Sequence, residues 1–322
     1  MENTTDCLVY GKSSNGMRKK LPNIDYSQVM HPDDKKTVDW LNGLQVPYMS
    51  KWDFIREIAK HPLDHNLKTW YEIFKSDLKY YTFKEFLAAT TSKYQEAYNE
   101  VENQGEGINI TADSLPALHR QLVEACSVLD IQEIPAYSTD WLYGPFHYSN
   151  GEKHRRIVMM SGSADLFTDG EMAFTLGHEL GHFAAGHKPY QMLIMSFYLP
   201  FMSDPVFNSW ASIVKLPLFE WYRKSDYTAD RVGLLCCQDI NDAISTMIKK
   251  AGLPKKCYNH IDIQGFIKQA KEFEEKYTGT VNSVIKALTI RSAEFPWLVD
   301  RAAKLYEWYE NGEYQQIINQ QY

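Results

Sequence analysis

The sequence predicts a predominantly helical α+β fold, with a small mixed sheet and an N-terminal helical extension. Apolar residues recur at helical spacing over much of residues 25–103. Between residues 108 and 160, short runs typical of strands surround a single helical pattern, and helical patterns then continue to about residue 312. With 322 residues, of which 44% are hydrophobic, the chain is long enough to bury a substantial core.

A domain boundary is predicted near residue 105, where the polar stretch Glu100–Gly107 interrupts the apolar pattern. Residues 1–105 are expected to form the N-terminal helical region, with helices over Trp52–Ile58 and Trp70–Leu78. Residues 106–322 are expected to form the second domain. Its first helix is predicted at Ser114–Leu129 and its strands at Ile108–Ile110, Ile134–Ser138, Leu142–Tyr148 and Arg156–Met160. A turn at Ser149-Asn150-Gly151 should join the last two strands.

Composition and charge narrow the class of protein. The formal net charge of −7 and the shortness of the densest basic run, Arg18-Lys19-Lys20, argue against nucleic acid as a partner. The five cysteines form no pattern, and the polar N-terminus predicts that a secretory signal is absent, so we expect a cytoplasmic protein. The apolar stretch at residues 190–202 is too short to span a bilayer and predicts a buried helix or an apolar surface patch. The oligomeric state does not follow from the sequence.

One predicted helix carries three ionisable residues among apolar ones. Thr168 and Glu171 have the spacing of a capping box, which predicts a helix that begins there and ends near Gly186. Its apolar face comprises Met172, Leu176, Leu180 and Phe183, and its thin face comprises Gly177, Gly181 and Ala184. The thin face should let another element approach closely, so we expect this helix to be buried on most sides.

His178, Glu179 and His182 form the pattern H-E-x-x-H on this helix. Residues four apart differ by only ~40° around a helix axis, so both imidazoles leave the same face. One Zn²⁺ ion can therefore bind both rings, while Glu179 reaches a coordinated water as its general base. The pattern predicts one catalytic zinc ion that activates water to hydrolyse a peptide bond. A chance occurrence of this short pattern is the alternative, which the capped and buried helix disfavours.

A catalytic zinc ion usually has three protein ligands, so a third is needed. Asp226 and Asp230 lie four residues apart in a predicted helix that becomes wholly apolar further along. A buried pair of carboxylates needs a compensating cation, which zinc and its imidazoles would supply. We predict that Asp226 binds the metal and that Asp230 orients a ligand imidazole through its other ring N–H. Two alternatives stay open: a solvated helix face paired with Arg223 and Arg231, and Glu220 as the third ligand.

Two further histidines are candidates for a place in or near the site. His187 follows His182 by five residues, a poor helical spacing for a shared metal, and is expected to cap the helix or lie at the edge of the cleft. His147 lies in an extended segment that could be the sheet edge along which a substrate binds as an added strand. His147 is therefore a candidate substrate contact.

With H-E-L-G-H at residues 178–182 and R-x-x-D-x-x-A-D at residues 223–230, the chain resembles the HtpX-type zinc peptidases, metallopeptidase family forty-eight. The resemblance covers about residues 106–312, and His31-Pro32-Asp33-Asp34 is similar to a stretch that precedes the domain in the soluble bacterial branch. It implies a zincin-like catalytic domain that acts on protein or peptide substrates. It also implies metal ligands at His178, His182 and Asp226, a base at Glu179 and a supporting acid at Asp230.

Two positions depart from the family pattern. Family members usually have Glu where Asp226 stands and His where Phe295 stands, in the segment H-P-x-x-x-x-R. The resemblance implies that Arg301, which ends this segment, stabilises the oxyanion that develops on the substrate. A second donor is missing unless Tyr227 or His260 replaces it, and one lost donor costs ~10²–10³ in rate. The expected function is a zinc-dependent endopeptidase; the alternative is a zinc-containing pseudo-peptidase that acts as a binding or regulatory protein.

Overall fold

The computed structural model describes residues 18–48, 79–82, 100–101, 104–139, 147–150, 154–191, 194, 205–276 and 297–319. The helices predicted over Trp52–Ile58 and Trp70–Leu78 lie outside these ranges, as does Phe295. The described residues form a predominantly helical α+β fold with a small mixed sheet, which confirms the predicted class. The division of the chain at residue 105 stays a prediction.

The N-terminal part contains both helices and strands. Its elements are α1 (Tyr26–Val29), α2 (Pro32–Gly43), β1 (Gln45–Tyr48) and β2 (Lys79–Thr82). His31 caps α2, because its Nδ1 accepts a hydrogen bond from the Asp33 backbone N–H, and Pro32 fits the first turn, where no backbone donor is needed. β1 and β2 pair antiparallel, a feature that the helical prediction for this region missed. Strands of four residues are too short for a period of two to stand out from the sequence.

A four-stranded mixed sheet follows in the described part of the chain. Its strands are β3 (Ile108–Asn109), β4 (Ala136–Thr139), β5 (His147–Asn150) and β6 (Arg156–Met160), and helix α3 (Pro116–Val128) follows β3 in sequence. The order is β3-β4-β6-β5, with β4 parallel to β6 and both outer strands antiparallel to their neighbours. Each strand overlaps a predicted one. Ser149 and Asn150, which the sequence predicts as part of a turn, instead pair with Ile157 and Arg156 of β6.

Helix α4 (Ser161–Leu166) leads from β6 into α5 (Asp169–Ala184), which carries the H-E-x-x-H pattern. The predicted capping box is present. The Thr168 hydroxyl accepts a hydrogen bond from the Glu171 backbone N–H at 3.3 Å, and the Glu171 carboxylate accepts one from the Thr168 backbone N–H at 2.8 Å. Every residue of α5 from Gly170 to Phe183 is buried. The chain leaves the helix at Gly186, whose φ of +69° suits glycine.

Helix α6 (Pro205–Cys237) packs extensively against α5 and carries Asp226 and Asp230. The contact uses the predicted thin face of α5. A Cβ atom on Gly177 would lie 2.4 Å from the Cβ of Cys236, and one on Gly181 would lie 2.8 Å from the Cβ of Val232. Such distances are too short for real Cβ contacts, so the two glycines allow the helices to approach more closely than side chains would.

Replacing Gly177 by alanine should destabilise the fold. The added methyl group would collide with Cys236 across the α5–α6 contact. This overpacking should outweigh the ~1 kcal/mol helix-propensity advantage of alanine over glycine, and lower the free energy of unfolding by about 1–3 kcal/mol. Urea denaturation measures the change. Gly43→Ala in α2 is the matched control, because a Cβ there meets no atom within 4 Å; equal losses of stability in the two variants would contradict the close contact.

The remaining elements complete the core. They are α7 (Ile240–Lys250), a 3₁₀-helix (Lys255–His260), α8 (Ile263–Lys276), α9 (Leu298–Glu310) and α10 (Glu313–Asn319). The buried ammonium of Lys249 pairs with the buried carboxylate of Glu171 at 2.6 Å and ties α7 to the start of α5. Helix α9 packs against α6, α7 and α8. Leu21 and Val29 of the N-terminal part share one hydrophobic core with Trp308 of α9.

None of the helices in the described ranges is both long and apolar enough to cross a membrane. Within the apolar stretch at residues 190–202, Tyr190 and Ile194 have only 3% and 1% of their surface exposed. These two residues therefore belong to the packed interior. Most of the stretch lies outside the described residues, and an apolar surface patch there stays a prediction.

Candidate metal centre

Helices α5 and α6 bring three potential metal ligands together. One ring nitrogen of His178, one of His182 and one carboxylate oxygen of Asp226 all lie within 4.8 Å of one another. The three residues are buried, with 5%, 4% and 7% of their surface exposed. The structure thus brings Asp226, chosen from the sequence as the third ligand, to the two histidines of the H-E-x-x-H pattern.

The geometry of this donor set fits a zinc ion. Bonds of ~2.0–2.1 Å at tetrahedral angles place two ligand atoms about 3.3 Å apart. His182 Nε2 and Asp226 Oδ1 are 3.5 Å apart. The short side chain of Asp226 reaches this position because α5 and α6 touch at Gly181, which precedes His182. The close helix contact compensates for the methylene group that aspartate lacks relative to glutamate.

Asp230 contacts the ring of His178. Its Oδ1 atom lies 2.9 Å from His178 Nδ1. An ionised carboxylate can only accept a hydrogen bond, and this contact is shorter than the 3.3 Å from Arg301 Nη2 to the same nitrogen. It therefore favours the tautomer with the proton on Nδ1, which leaves Nε2 available for a metal. This contact is the one that the sequence predicted for Asp230.

Arg301 of α9 connects the two aspartates. Its Nε atom donates to Asp230 at 2.8 Å, its Nη2 atom donates to the other oxygen of that carboxylate, and its Nη1 atom donates to Asp226 at 3.1 Å. Burial is the largest single effect and raises the pKa of each aspartate, but the Arg301 guanidinium and the neighbouring histidines together lower it more, so both pKa values lie below the ordinary range. The carboxylate pair therefore has a compensating cation from the protein itself, whereas the sequence interpretation assigned this task to the metal and its imidazoles.

The other ring nitrogen of His182 faces a buried pair. His182 Nδ1 lies 3.0 Å from His187 Nδ1, and His187 Nε2 lies 2.9 Å from a carboxylate oxygen of Asp34 in α2. Both His187 and Asp34 are 0% exposed. The predicted position of His187 at the cleft edge is therefore wrong, because the turn at Gly186 directs its ring into the interior. Its backbone N–H does cap α5, since it donates to the His182 carbonyl at 3.0 Å. Sequence reasoning gave Asp34 no role in the site.

The carboxylate of Glu179 lies beside one of the candidate ligands, His178. Its Oε1 atom is 3.9 Å from His178 Nε2. Burial lowers the pKa of Lys188 to about 8, although Glu179 and Asp226 raise it, so a buried cation lies within electrostatic reach of the Glu179 carboxylate. Burial also lowers the pKa of His182 to about 3. The His182 ring is therefore neutral at pH 7, as a metal ligand must be.

The other candidate residues have different surroundings. His147 is the first residue of β5, at the edge of the sheet, and its contact with a substrate stays a prediction. The Tyr227 hydroxyl donates to Asp300, and His260 ends the 3₁₀-helix. The Glu220 side chain lies outside the described residues.

Arg231, one of the arginines in the solvated-face alternative, takes part in another contact. Its guanidinium lies over the Trp308 ring at 5.0 Å and donates to the backbone carbonyls of Val29 and Met30. Asp226 and Asp230 are buried and are bonded to Arg301 instead. The α6 face that carries the two aspartates is therefore an interior face.

Comparisons with known proteins cover the part of the chain that carries this candidate centre. A family model described as peptidase family M48 matches residues 116–308, which include the three candidate ligands, Glu179, Asp230 and Arg301. The chain is also similar to the plastoglobule-localized metallopeptidase 48, chloroplastic, of Arabidopsis thaliana, with 25% identity over 236 residues that cover 73% of this chain and 69% of the relative. No solved structure matches. Since the family match spans more than half of the sequence, the chain belongs to peptidase family M48, a family of metallopeptidases.

Proposed function

We propose that this chain is a zinc-dependent endopeptidase. The observation that carries the proposal is the buried set of His178, His182 and Asp226, with the Glu179 carboxylate next to it. Two imidazoles and one carboxylate are the ligand set of several catalytic zinc sites that keep one position open. When bound, zinc supplies a Lewis acid that polarises a peptide carbonyl and makes water a stronger nucleophile at neutral pH.

Glu179 is the proposed general base. It is adjacent to His178 in sequence, and its Oε1 atom lies 3.9 Å from His178 Nε2. Glu179 is not one of the three clustered residues that could hold the metal. From this position Glu179 takes a proton from the attacking water and returns it to the amine that leaves. The buried side chain of Lys188 lies within electrostatic reach of the Glu179 carboxylate.

Arg301 has two proposed tasks. It holds Asp226 and Asp230 in place through three hydrogen bonds, which positions one ligand directly and a second through Asp230. Its predicted task as an oxyanion donor is kept as part of the proposal, since a guanidinium has five N–H groups and these bonds use three.

The cytoplasmic location of the protein also stays a prediction.

An extended peptide is the proposed substrate. Strand β5 contacts α5 and lies at the edge of the sheet, where among the described strands it pairs only with β6. A substrate could add to this edge as a further strand through main-chain hydrogen bonds, with His147 as a side-chain contact. A peptide bound along an open edge can extend in both directions beyond the site, which favours internal cleavage over removal of terminal residues.

The proposed function is tested by digesting an unstructured protein and a quenched-fluorescence peptide library. We expect internal cleavage at neutral pH that a zinc chelator abolishes and that added zinc restores. Mass spectrometry of the products distinguishes internal from terminal cleavage. A zinc-loaded chain that cleaves none of these substrates would favour the pseudo-peptidase alternative, for which Phe295 in place of the usual His is the supporting observation.

A further inference from the structure

A hydrogen-bonded chain of buried side chains runs from the candidate ligand His182 to the N-terminal part. His182 Nδ1 is 3.0 Å from His187 Nδ1, and His187 Nε2 is 2.9 Å from Asp34 Oδ2. The last residue of this chain comes from α2, 153 positions from His187 in sequence. Asp34 also lies outside the stretch of residues 116–308 that the family model matches.

Asp34 is held by α6, the helix that also carries Asp226. The Trp221 indole N–H donates to Asp34 Oδ1 at 2.7 Å, and the Thr228 hydroxyl donates to Asp34 Oδ2. The His31 backbone N–H in turn donates to Thr228 Oγ1 at 2.9 Å. A carboxylate that accepts three side-chain hydrogen bonds, including the one from His187, has little freedom to move. Burial raises the pKa of Asp34, but His187 and these hydrogen bonds lower it more, so the net pKa lies below its ordinary value.

The direction of these hydrogen bonds follows from which atoms can donate and which can accept. If Nε2 of His182 is to bind a metal, its proton must sit on Nδ1 and needs an acceptor. Gln191 Nε2, which lies 3.2 Å from His182 Nδ1, can only donate, because Gln191 Oε1 is the atom that accepts from Lys188 at 2.8 Å. His187 Nδ1 is therefore the acceptor. His187 Nδ1 is an acceptor only when the His187 proton sits on Nε2, and there the N–H donates a hydrogen bond to Asp34.

We infer that Asp34 and His187 are positioning residues that set the tautomer and ring orientation of His182 for the metal. The inference rests on the proposed zinc site. Each candidate histidine ligand then has a supporting carboxylate. Asp230 bonds His178 directly, whereas Asp34 supports His182 through His187. The N-terminal part is thus a component of the metal centre. Among the described residues, the carboxylate that bonds His187 comes from Asp34 of α2 and not from α5 or α6.

The test is the zinc affinity of folded protein, measured by competition with a chromophoric chelator. His187→Leu should weaken zinc binding by about 10–100-fold, the usual loss when the partner of a ligand imidazole is removed, because it removes the acceptor for His182 Nδ1–H. Asp34→Asn acts through His187 and should weaken zinc binding by about 10-fold, the lower end of that range. His187→Gln should restore much of the affinity, because its amide oxygen can accept and its amide nitrogen can donate. A packing role for His187 would not favour glutamine over leucine.

Glu171→Gln is the matched control. Glu171 is another buried carboxylate, and its bonds go to Lys249, Ser245 and the Thr168 backbone N–H at the start of α5. This variant should lose stability and keep its zinc affinity; an equal loss of affinity would attribute the effect to general destabilisation and overturn the inference. Asp34→Asn with wild-type zinc affinity would also overturn it while leaving the proposed function intact. If wild-type protein binds no zinc, the proposed function fails and the inference fails with it. Should Asp34→Asn not fold, the two His187 variants decide.

Discussion

Replacing Glu179 by glutamine is expected to lower kcat/KM for peptide hydrolysis by about 10²–10⁴-fold, the usual contribution of a general base. Glutamine has nearly the same shape, so the ligands His178 and His182 should keep their positions on α5. The zinc content and the thermal unfolding midpoint of the variant should therefore match those of wild type. Single-turnover cleavage of a quenched peptide, measured alongside zinc content by atomic emission, checks both expectations.

The control for Glu179 is the second buried glutamate on the same helix. Glu171→Gln removes a carboxylate that pairs with Lys249 at 2.6 Å, at the capped start of α5. We expect this variant to be less stable but to keep its activity per folded molecule. If Glu179→Gln retains wild-type activity, or if both variants lose activity equally, Glu179 is not the base.

Replacing Asp226 by alanine is expected to weaken zinc binding by more than about 100-fold. Loss of a partner of a ligand already costs about 10–100-fold, and this substitution removes a ligand itself. It also leaves His182 Nε2 without the carboxylate that lies 3.5 Å away. Arg301 keeps its two bonds to Asp230, so the guanidinium does not become an unpaired buried charge. Zinc titration of the purified variant, with circular dichroism to verify folding, measures the change.

Asp300→Ala is the control for Asp226→Ala. Asp300 accepts a hydrogen bond from Tyr227, the residue that follows Asp226, but it is not among the clustered donor atoms. We expect this variant to bind zinc like wild type. Undiminished zinc in Asp226→Ala would rule out Asp226 as the third ligand and direct the search to Glu220, the other acid weighed from the sequence.

Much of the centre could be predicted from the sequence because its parts are local. The capping box joins Thr168 and Glu171 within a single turn of α5. The glycines of the thin face also lie on this one helix, where it contacts α6. The spacing of His178 and His182 alone puts both rings on one face. Asp226 and Asp230 were predictable for a similar reason, since two acids in an increasingly apolar helix require a buried counter-charge.

The parts that sequence reasoning missed depend on contacts between distant segments. Arg301 was expected to face the substrate, and its bonds to Asp226 and Asp230 arise only when α9 packs against α6. The Asp34–His187 contact needs the turn at Gly186 and the packing of α2 on α6. Neither contact leaves a periodic signal, because each joins single side chains across more than 70 positions of sequence.

The sequence by itself determined which side chains the candidate site carries: a helix that presents two imidazoles and a carboxylate, and a second helix that presents two acids. Those features follow from helix geometry, which depends only on residues a few positions apart. The tertiary structure decided how the ligands are held. It brought α5 and α6 close enough for a short aspartate, used Arg301 to neutralise the acid pair, and extended the support of His182 to Asp34. The reason is that buried polar groups find their partners through packing, which is a property of the whole fold.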